Sequence, residues 1–294
     1  MMLVELAVGD AYGGGFEFTS DAFIAQNNDL SQYRQHPKWE GQTEAGHYTD
    51  DTQMTIAVAE ALLSGKPWTK ELLADKFVEC FKRDPRNSYA RGFYKFLTEI
   101  KDGTEMLQKI SPKSDRSGAA MRASPLGLLP KIDDVLSQGK IQASITHDTT
   151  DGTNAALAAS LMVHYFAYDL GKKADLGVFV GKYVPNDWSR PWAGKVGVKG
   201  WEAVKAAITI IARCSSLSEI LRLTVSLGGD VDTVCVIAMS CASLCGEIKN
   251  DIPLVLVDSL ENGPYGRDYL AKLDKDLFSK FGISKTLGDR WSAI

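Results

Sequence analysis

Apolar positions recur along this chain mostly three and four residues apart. Leu73, Phe77, Cys80 and Phe81 fall at i, i+4, i+7 and i+8, and Val204, Ala207, Ile208 and Ile211 at i, i+3, i+4 and i+7. Each set lies on one side of a helix with 3.6 residues per turn, so each predicts an amphipathic helix with one face turned inward. Two other stretches, 153–168 (TNAALAASLMVHYFAY) and 232–245 (DTVCVIAMSCASLC), are apolar on several faces. Helices of that kind must be covered on every side, which predicts interior helices wrapped by the amphipathic ones. Sustained alternation with a period of two is missing, and no Asn-Gly or Asp-Gly pair lies between two β-branched runs. Short β-branched runs such as Val255–Val257 sit inside helix-compatible patterns. The expected fold class is therefore all-α, a compact multi-helix domain over residues 1–294. No repeat of 20–50 residues divides it.

Four segments read as loops. Residues 9–20 (GDAYGGGFEFTS) carry four glycines, residues 26–48 are polar and aperiodic, residues 111–130 mix Gly, Ser and Pro, and residues 184–200 hold Pro185, Pro191, Gly194 and Gly197. Trp188 and Trp192, in the last of these, are expected at the edge of the core rather than stacked on a ligand.

Composition narrows the function. With 294 residues, 45% of them apolar, the chain has material for a large core, and a net charge near −4 without a dense basic segment argues against general nucleic-acid binding. Cys80, Cys214, Cys235, Cys241 and Cys245 are odd in number and form no C-x-x-C pair, so they read as buried thiols in a reducing compartment. The opening MMLVELAVGDAYGGG lacks a basic start with a long apolar core, and no run approaches a membrane span. A soluble, cytoplasmic, monomeric protein is expected.

Chemistry concentrates at two predicted helix starts. Thr49-Asp50-Asp51-Thr52-Gln53 directly precedes the apolar pattern MTIAVAEALL, and Gly228-Gly229-Asp230-Val231-Asp232-Thr233 directly precedes VCVIAMSCASL. Ser, Thr and Asp are ordinary N-caps, and Asp50 with Gln53 has the spacing of a capping box. Yet each start holds more acid than a cap requires. A second adjacent carboxylate adds repulsion unless a cation neutralises it, and hard divalent ions prefer oxygen ligands of this kind. If the two clusters meet, they can hold a pair of ions bridged by a carboxylate. Ligand spacings suited to zinc are missing. A third segment, Ser114-Asp115-Arg116-Ser117-Gly118-Ala119-Ala120-Met121-Arg122, is rich in small residues and can offer N–H groups to phosphate. Arg122 is read as the structural partner of a carboxylate, with no chemistry of its own.

In their order along the chain these residues resemble the ADP-ribosylglycohydrolase family. Gly9-Asp10-x-x-Gly13-x-x-x-Glu17, Tyr48–Met54 (YTDDTQM), Ser117–Leu128 (SGAAMRASPLGL), Thr146-His147-Asp148 and Leu227–Val234 (LGGDVDTV) are similar to its successive motifs. The likeness spans about residues 3–265. It implies an all-α fold with two Mg²⁺ ions, or Mn²⁺, at the bottom of a cleft. The implied metal ligands are Thr49, Asp50, Asp51, Asp230, Asp232 and Thr233. Glu17 would lie on a flap near the ions and the ribose, and Glu17, Asp50 and Asp51 are the implied catalytic carboxylates. Ser114, Asp115, Ser117, Gly118 and Met121 would cradle the diphosphate, with His147 lining the same site. The chain departs from the family at Ser117-Gly118, where Asn-Gly is frequent, and at Val231, where a small residue is more usual. The implied activity is hydrolysis of the glycosidic bond between ADP-ribose and its acceptor, an ADP-ribosylated protein or a small ADP-ribose conjugate. Two other readings stay open at this level: a non-catalytic binding or crystallin-like relative, and a magnesium-dependent phosphoester hydrolase.

Overall fold

The computed structural model describes residues 1–38 and 43–284. Its α-helices are α1 (Met2–Gly14), α2 (Asp21–Asn27), α3 (Asp50–Leu63), α4 (Lys70–Arg83), α5 (Arg91–Glu99), α6 (Gly103–Lys109) and α7 (Ile132–Ser144). They continue with α8 (Thr150–Ala167), α9 (Leu176–Gly181), α10 (Gly200–Arg213), α11 (Leu217–Leu227), α12 (Val231–Ala242), α13 (Leu254–Asp258) and α14 (Arg267–Phe281). Among the described residues there is no strand, only isolated backbone bridges such as Val196 with Gly229. The fold is all-α, as the periodicity predicts. Val255–Val257 falls inside the short helix α13. No helix among the described residues is long and apolar enough to cross a membrane.

The all-round apolar stretches form the interior. Every residue of α12 is buried, and so is α1 from Met2 to Gly13. Helices α8 and α3 are buried over most of their length beside them. The amphipathic stripes belong to outer helices: Leu73, Phe77, Cys80 and Phe81 turn the buried face of α4 inward, and Val204, Ala207, Ile208 and Ile211 do so for α10. Side-chain oxygens of Thr69, Asp102, Thr149 and Ser216 accept first-turn amides at the starts of α4, α6, α8 and α11. This satisfies donors that would otherwise be orphaned at a helix end. All five cysteines are buried free thiols. Trp188 is a core residue whose indole N–H donates to the Val184 carbonyl at 3.0 Å, and Trp192 packs edge-on against Trp201.

Two expected loops differ. The glycine-rich segment 9–20 is helical as far as Gly14. Glycine weakens a helix, and here close packing offsets that cost. A Cβ on Gly9 would come within 2.9 Å of Met239 Cγ, and one on Gly13 within 2.6 Å of the Asp232 Cα. Bare backbone four residues apart lets α1 lie directly along α12 and delivers its C-terminus to the start of that helix. The second difference is residues 111–130, which contain two short 3-10 turns, Ser117–Ala119 and Ser124–Leu128.

Candidate active site

Helix α3 starts on a scaffold that the sequence pattern does not reveal. Asp10, fully buried in α1, accepts four hydrogen bonds from the first turn of α3: from the Thr49 amide (3.0 Å), the Thr49 hydroxyl (2.7 Å), the Thr52 amide (2.9 Å) and the Thr52 hydroxyl (2.5 Å). Thr49 is the N-cap, its Oγ accepting the Asp51 amide at 3.2 Å. The capping box expected of Asp50 and Gln53 is not formed. Gln53 instead donates to the Asp84 carbonyl and accepts from the Tyr89 hydroxyl, and the Asp50 amide donates to Ser88 Oγ at 2.8 Å. With the amides satisfied by other groups, the Asp50 and Asp51 carboxylates are not consumed as caps.

Helix α12 begins differently. Gly228 and Gly229 both have positive φ, +69° and +92°, and no side chain caps the helix. The turn is stitched to the 184–200 loop: Val196 N–H donates to the Gly228 carbonyl (2.9 Å) and Asp230 N–H to the Val196 carbonyl (3.0 Å). A Cβ on Gly229 would sit 1.8 Å from the Val196 oxygen. On its other side the Gly229 carbonyl accepts the Phe18 amide at 2.9 Å, which holds the segment carrying Glu17 against the start of α12. His36 fixes the same segment. Its Nε2–H donates to the Glu17 carbonyl at 2.8 Å while its Nδ1 accepts the Lys38 amide, so its neutral tautomer follows from the two partners.

The result is a convergence of acids. Carboxylate oxygens of Glu17, Asp230 and Asp232 all lie within 4.8 Å of one another. The Thr233 hydroxyl donates to Asp51 at 2.9 Å, across 182 residues of sequence, and so joins the start of α12 to that of α3. Ser117 lies close enough to Asp230 to lower its carboxyl against the rise that burial causes, which brings the small-residue loop to the edge of the group. Burial and mutual repulsion push every carboxyl here towards its neutral form. Glu17 is raised to about 8 by burial and by the charges of Asp230 and Asp50. Asp50 is raised to about 7 by burial, against a hydrogen bond from Ser88 and with the charge of Asp10 adding. Burial first and neighbouring carboxylates second hold Asp51 and Asp232 well above the usual range.

Among the described residues no ion pair engages any of these five acids. Asp51, Asp230 and Asp232 are buried and Glu17 and Asp50 half-buried, and crowded carboxylates so placed, sharing neither lysine nor arginine, require protons or a bound cation. The donors are all carboxylate and hydroxyl oxygen, a set that fits a hard divalent ion such as Mg²⁺ or Mn²⁺ and does not fit zinc. Thr49 has given its proton to Asp10 and one lone pair to the Asp51 amide, so one lone pair remains for a ligand. An open cleft adjoins the group, lined by Glu17, Thr49, Gly14, Gly15, His36 and Ser88.

The 114–121 loop is more internally bonded than a free phosphate cradle. Ser114 N–H donates to the Thr146 carbonyl, Arg116 N–H to Ser114 Oγ and Ser117 N–H to the Val198 carbonyl. Asp115 is ion-paired with Lys199, and Met121 is buried. His147 faces this loop: a Cβ on Gly118 would lie 3.0 Å from its Cε1. Its Nδ1 is 2.7 Å from Thr146 Oγ1, and its buried Nε2 has no partner among the described residues. Burial and the nearby Arg122 charge lower it to about 3, so the ring is neutral. Among the described residues Arg122 does not pair with a carboxylate. It is bonded to Gln142 and Thr146 and lies over the Phe77 ring.

Sequence reasoning therefore found the acids but missed Asp10, Ser88, His36 and the Val196 clamp. Asp10 had a signal, its place in the Gly9-Asp10-x-x-Gly13 motif directly after the largely apolar run Met2–Val8. Ser88 and Val196 had none, because each acts through a contact with a distant segment.

Comparison with known proteins agrees with the fold. A chain titled "ADP-ribosylglycohydrolase-related protein complex" superposes with a TM-score of 0.72 at 22% identity, covering 94% of this chain and 95% of that one. The human ADP-ribosylhydrolase ARH3 is 26% identical over 254 residues, 67% of this chain and 70% of its own length. The ADP-ribosyl-[dinitrogen reductase] glycohydrolase of Rhodospirillum rubrum is 28% identical over 240 residues, 78% of each chain. The sequence profile of the ADP-ribosylglycohydrolases matches residues 2–286, which is nearly the whole chain, and this protein belongs to that family.

Proposed function

We propose that the chain is a divalent-metal-dependent hydrolase that cleaves the glycosidic bond between ADP-ribose and its acceptor, with ADP-ribosyl-arginine as the first substrate to try. One observation carries the reading: Glu17, Asp230 and Asp232 crowd within 4.8 Å without a protein cation, beside an Asp51 tied to Thr233. A purely structural or crystallin-like relative gains nothing from carboxylates held at such cost. The name of the Rhodospirillum rubrum relative, which acts on an ADP-ribosylated protein, supports the choice of substrate class.

Thr49, Asp50, Asp51, Asp230, Asp232 and Thr233 would hold two Mg²⁺ or Mn²⁺ ions. Such ions, when bound, supply charge that makes a water more acidic and ribose hydroxyls easier to fix. The remaining work falls to the chain. Glu17 borders the open cleft, and, with the charge of the ions offsetting the repulsion that otherwise favours its neutral form, it would be the carboxylate that takes the proton of the attacking water. The water oxygen forms the new bond to the anomeric carbon while the bond to the acceptor breaks, its electron pair leaving with the acceptor, which then takes up a proton. Asp50 and Asp51 orient the ribose side of this exchange. Ser114, Asp115, Ser117, Gly118, Met121 and His147 take the diphosphate end. The protein would act as one domain and as a monomer on an ADP-ribosylated protein or a small conjugate.

The test is release of free ADP-ribose from an arginine-modified protein, in Mg²⁺ and in EDTA, beside the Asp232→Asn variant. Release that needs both the ion and Asp232 is the expected result. Release that survives EDTA, or full activity in Asp232→Asn, would remove the metal reading.

A further inference from the structure

Arg122 is 1% exposed, and among the described residues no carboxylate pairs with it. A buried guanidinium without a counter-ion is costly, so its placement needs a reason beyond packing. Its donors run in two directions. Nε donates to Gln142 Oε1 at 2.5 Å, and the Gln142 amide donates in turn to the Ala119 carbonyl at 3.1 Å, inside the Ser117–Ala119 turn. Nη2 donates to Thr146 Oγ1 at 2.8 Å, and Thr146 Oγ1 lies 2.7 Å from His147 Nδ1. Both arms therefore end on the same place, the loop that His147 faces across Gly118.

The second arm has a consequence for protons. Arginine can only donate, so a lone pair of Thr146 Oγ1 is committed to it. The Thr146 proton must point elsewhere, and among the described residues His147 Nδ1 is the acceptor in reach. A neutral imidazole that accepts at Nδ1 carries its proton on Nε2. Among the described residues that Nε2 is a buried side-chain nitrogen without a partner, on a residue 6% exposed, beside the turn at Gly118.

We propose that Arg122 is a positioning residue: through Thr146 it holds His147 as the Nε2–H tautomer, and through Gln142 it holds the Ser117–Ala119 turn, so that His147 presents one fixed N–H donor to a phosphate oxygen of the substrate. The phosphate part rests on the function proposed above; the tautomer part does not. The Arg122 charge acts in the same direction, since after burial it is what most disfavours a charged His147.

The experiment separates the two parts. Nitrogen-15 NMR of histidine-labelled protein, with His147 assigned by loss of its signals in His147→Gln, reads which ring nitrogen carries the proton. The wild type should show Nε2 protonated and Nδ1 bare. Thr146→Val, which keeps the volume and removes the hydroxyl, should move the proton towards Nδ1, and Thr146→Ser should restore the wild-type pattern. Titration of the same proteins with ADP-ribose in Mg²⁺ should show Thr146→Val weakened about tenfold, the scale of one hydrogen bond to a charged oxygen, with Thr146→Ser near wild type. Arg122→Lys should resemble Thr146→Val, and if it fails to fold the threonine pair still decides. A wild-type His147 protonated on Nδ1, or a Thr146→Val variant with unchanged tautomer and unchanged affinity, overturns the proposal. Wild-type protein that shows the expected tautomer but binds no ADP-ribose overturns the proposed ligand and with it the functional reading, while the role of Arg122 in setting the ring stands.

Discussion

The two acidic helix starts look alike in sequence and are built in opposite ways. At α3 a buried polar residue does the organising: Asp10 takes up two amides and two hydroxyls of the first turn, which leaves Asp50 and Asp51 available. At α12 the backbone does it. Two glycines with positive φ wrap around the Val196 carbonyl, and Asp230 and Asp232 extend from a turn that no side chain caps. In one case a carboxylate is spent so that its neighbours need not be; in the other, conformations closed to most residues are used to the same end. A helix N-terminus favours negative charge in either case.

The comparison is broken most severely at Gly229. Gly229→Ala forces a Cβ into the Val196 oxygen at 1.8 Å on a backbone already at φ +92°. It should cost at least about 3 kcal/mol and uncouple the start of α12, read as urea stability together with Mg²⁺ affinity. A stable variant with normal Mg²⁺ binding would show that the turn is not what places Asp230 and Asp232. Next comes Asp10→Ala, which strands four buried donors. A loss of about 2–3 kcal/mol is expected, with weaker Mg²⁺ binding although Asp10 is not a proposed ligand. A loss confined to stability would make Asp10 a fold residue only.

The third variant should act in the other direction. Without a divalent ion, Asp232→Asn removes one of the crowded charges and should raise stability by about 1 kcal/mol while abolishing turnover, the mark of acids kept for function. Destabilisation in EDTA would argue that the acids are mutually satisfied without an ion.

The smallest effect is on pH. Glu17 and Asp50 stand near 8 and 7 in the fold, against about 4 for the unfolded chain. Because the folded values are raised, their contribution to metal-free stability is complete below about pH 4 and is lost as pH rises through about 7 to 8. In EDTA the Tm should therefore fall as pH rises from about 4 to about 8 and level off above that, and Mg²⁺ should remove most of that fall. A Tm flat with pH in EDTA would count against a crowded site.

Much of this was legible in the chain itself, and the misses have physical causes. The stripes of α4 and α10 and the all-round apolar α8 and α12 were readable because burial imposes a local period. The segment 9–14 was misread because glycine signals loops on average, whereas Gly9 and Gly13 serve a helix–helix approach that is visible only with α12 in place. Gln53 was misread as part of a cap because its real partners, Asp84 and Tyr89, lie more than thirty residues away. Arg122 was expected beside a carboxylate, and its actual partners, Gln142 and Thr146, carry no charge that a sequence scan would flag.

By itself the sequence determined the interior helices α8 and α12, the amphipathic α4 and α10, and the acidic starts of α3 and α12, since all of these are properties of a residue and its neighbours within about a turn. The tertiary structure decided that Asp51 meets Thr233 across 182 positions, that Glu17 is carried to Asp230 and Asp232, and that His147 turns towards the Ser117 loop. The reason is that a carboxylate becomes a site only through the company and dielectric it is given. Those depend on which distant helices are allowed to touch, here through two bare glycines on α1 and one buried aspartate between them.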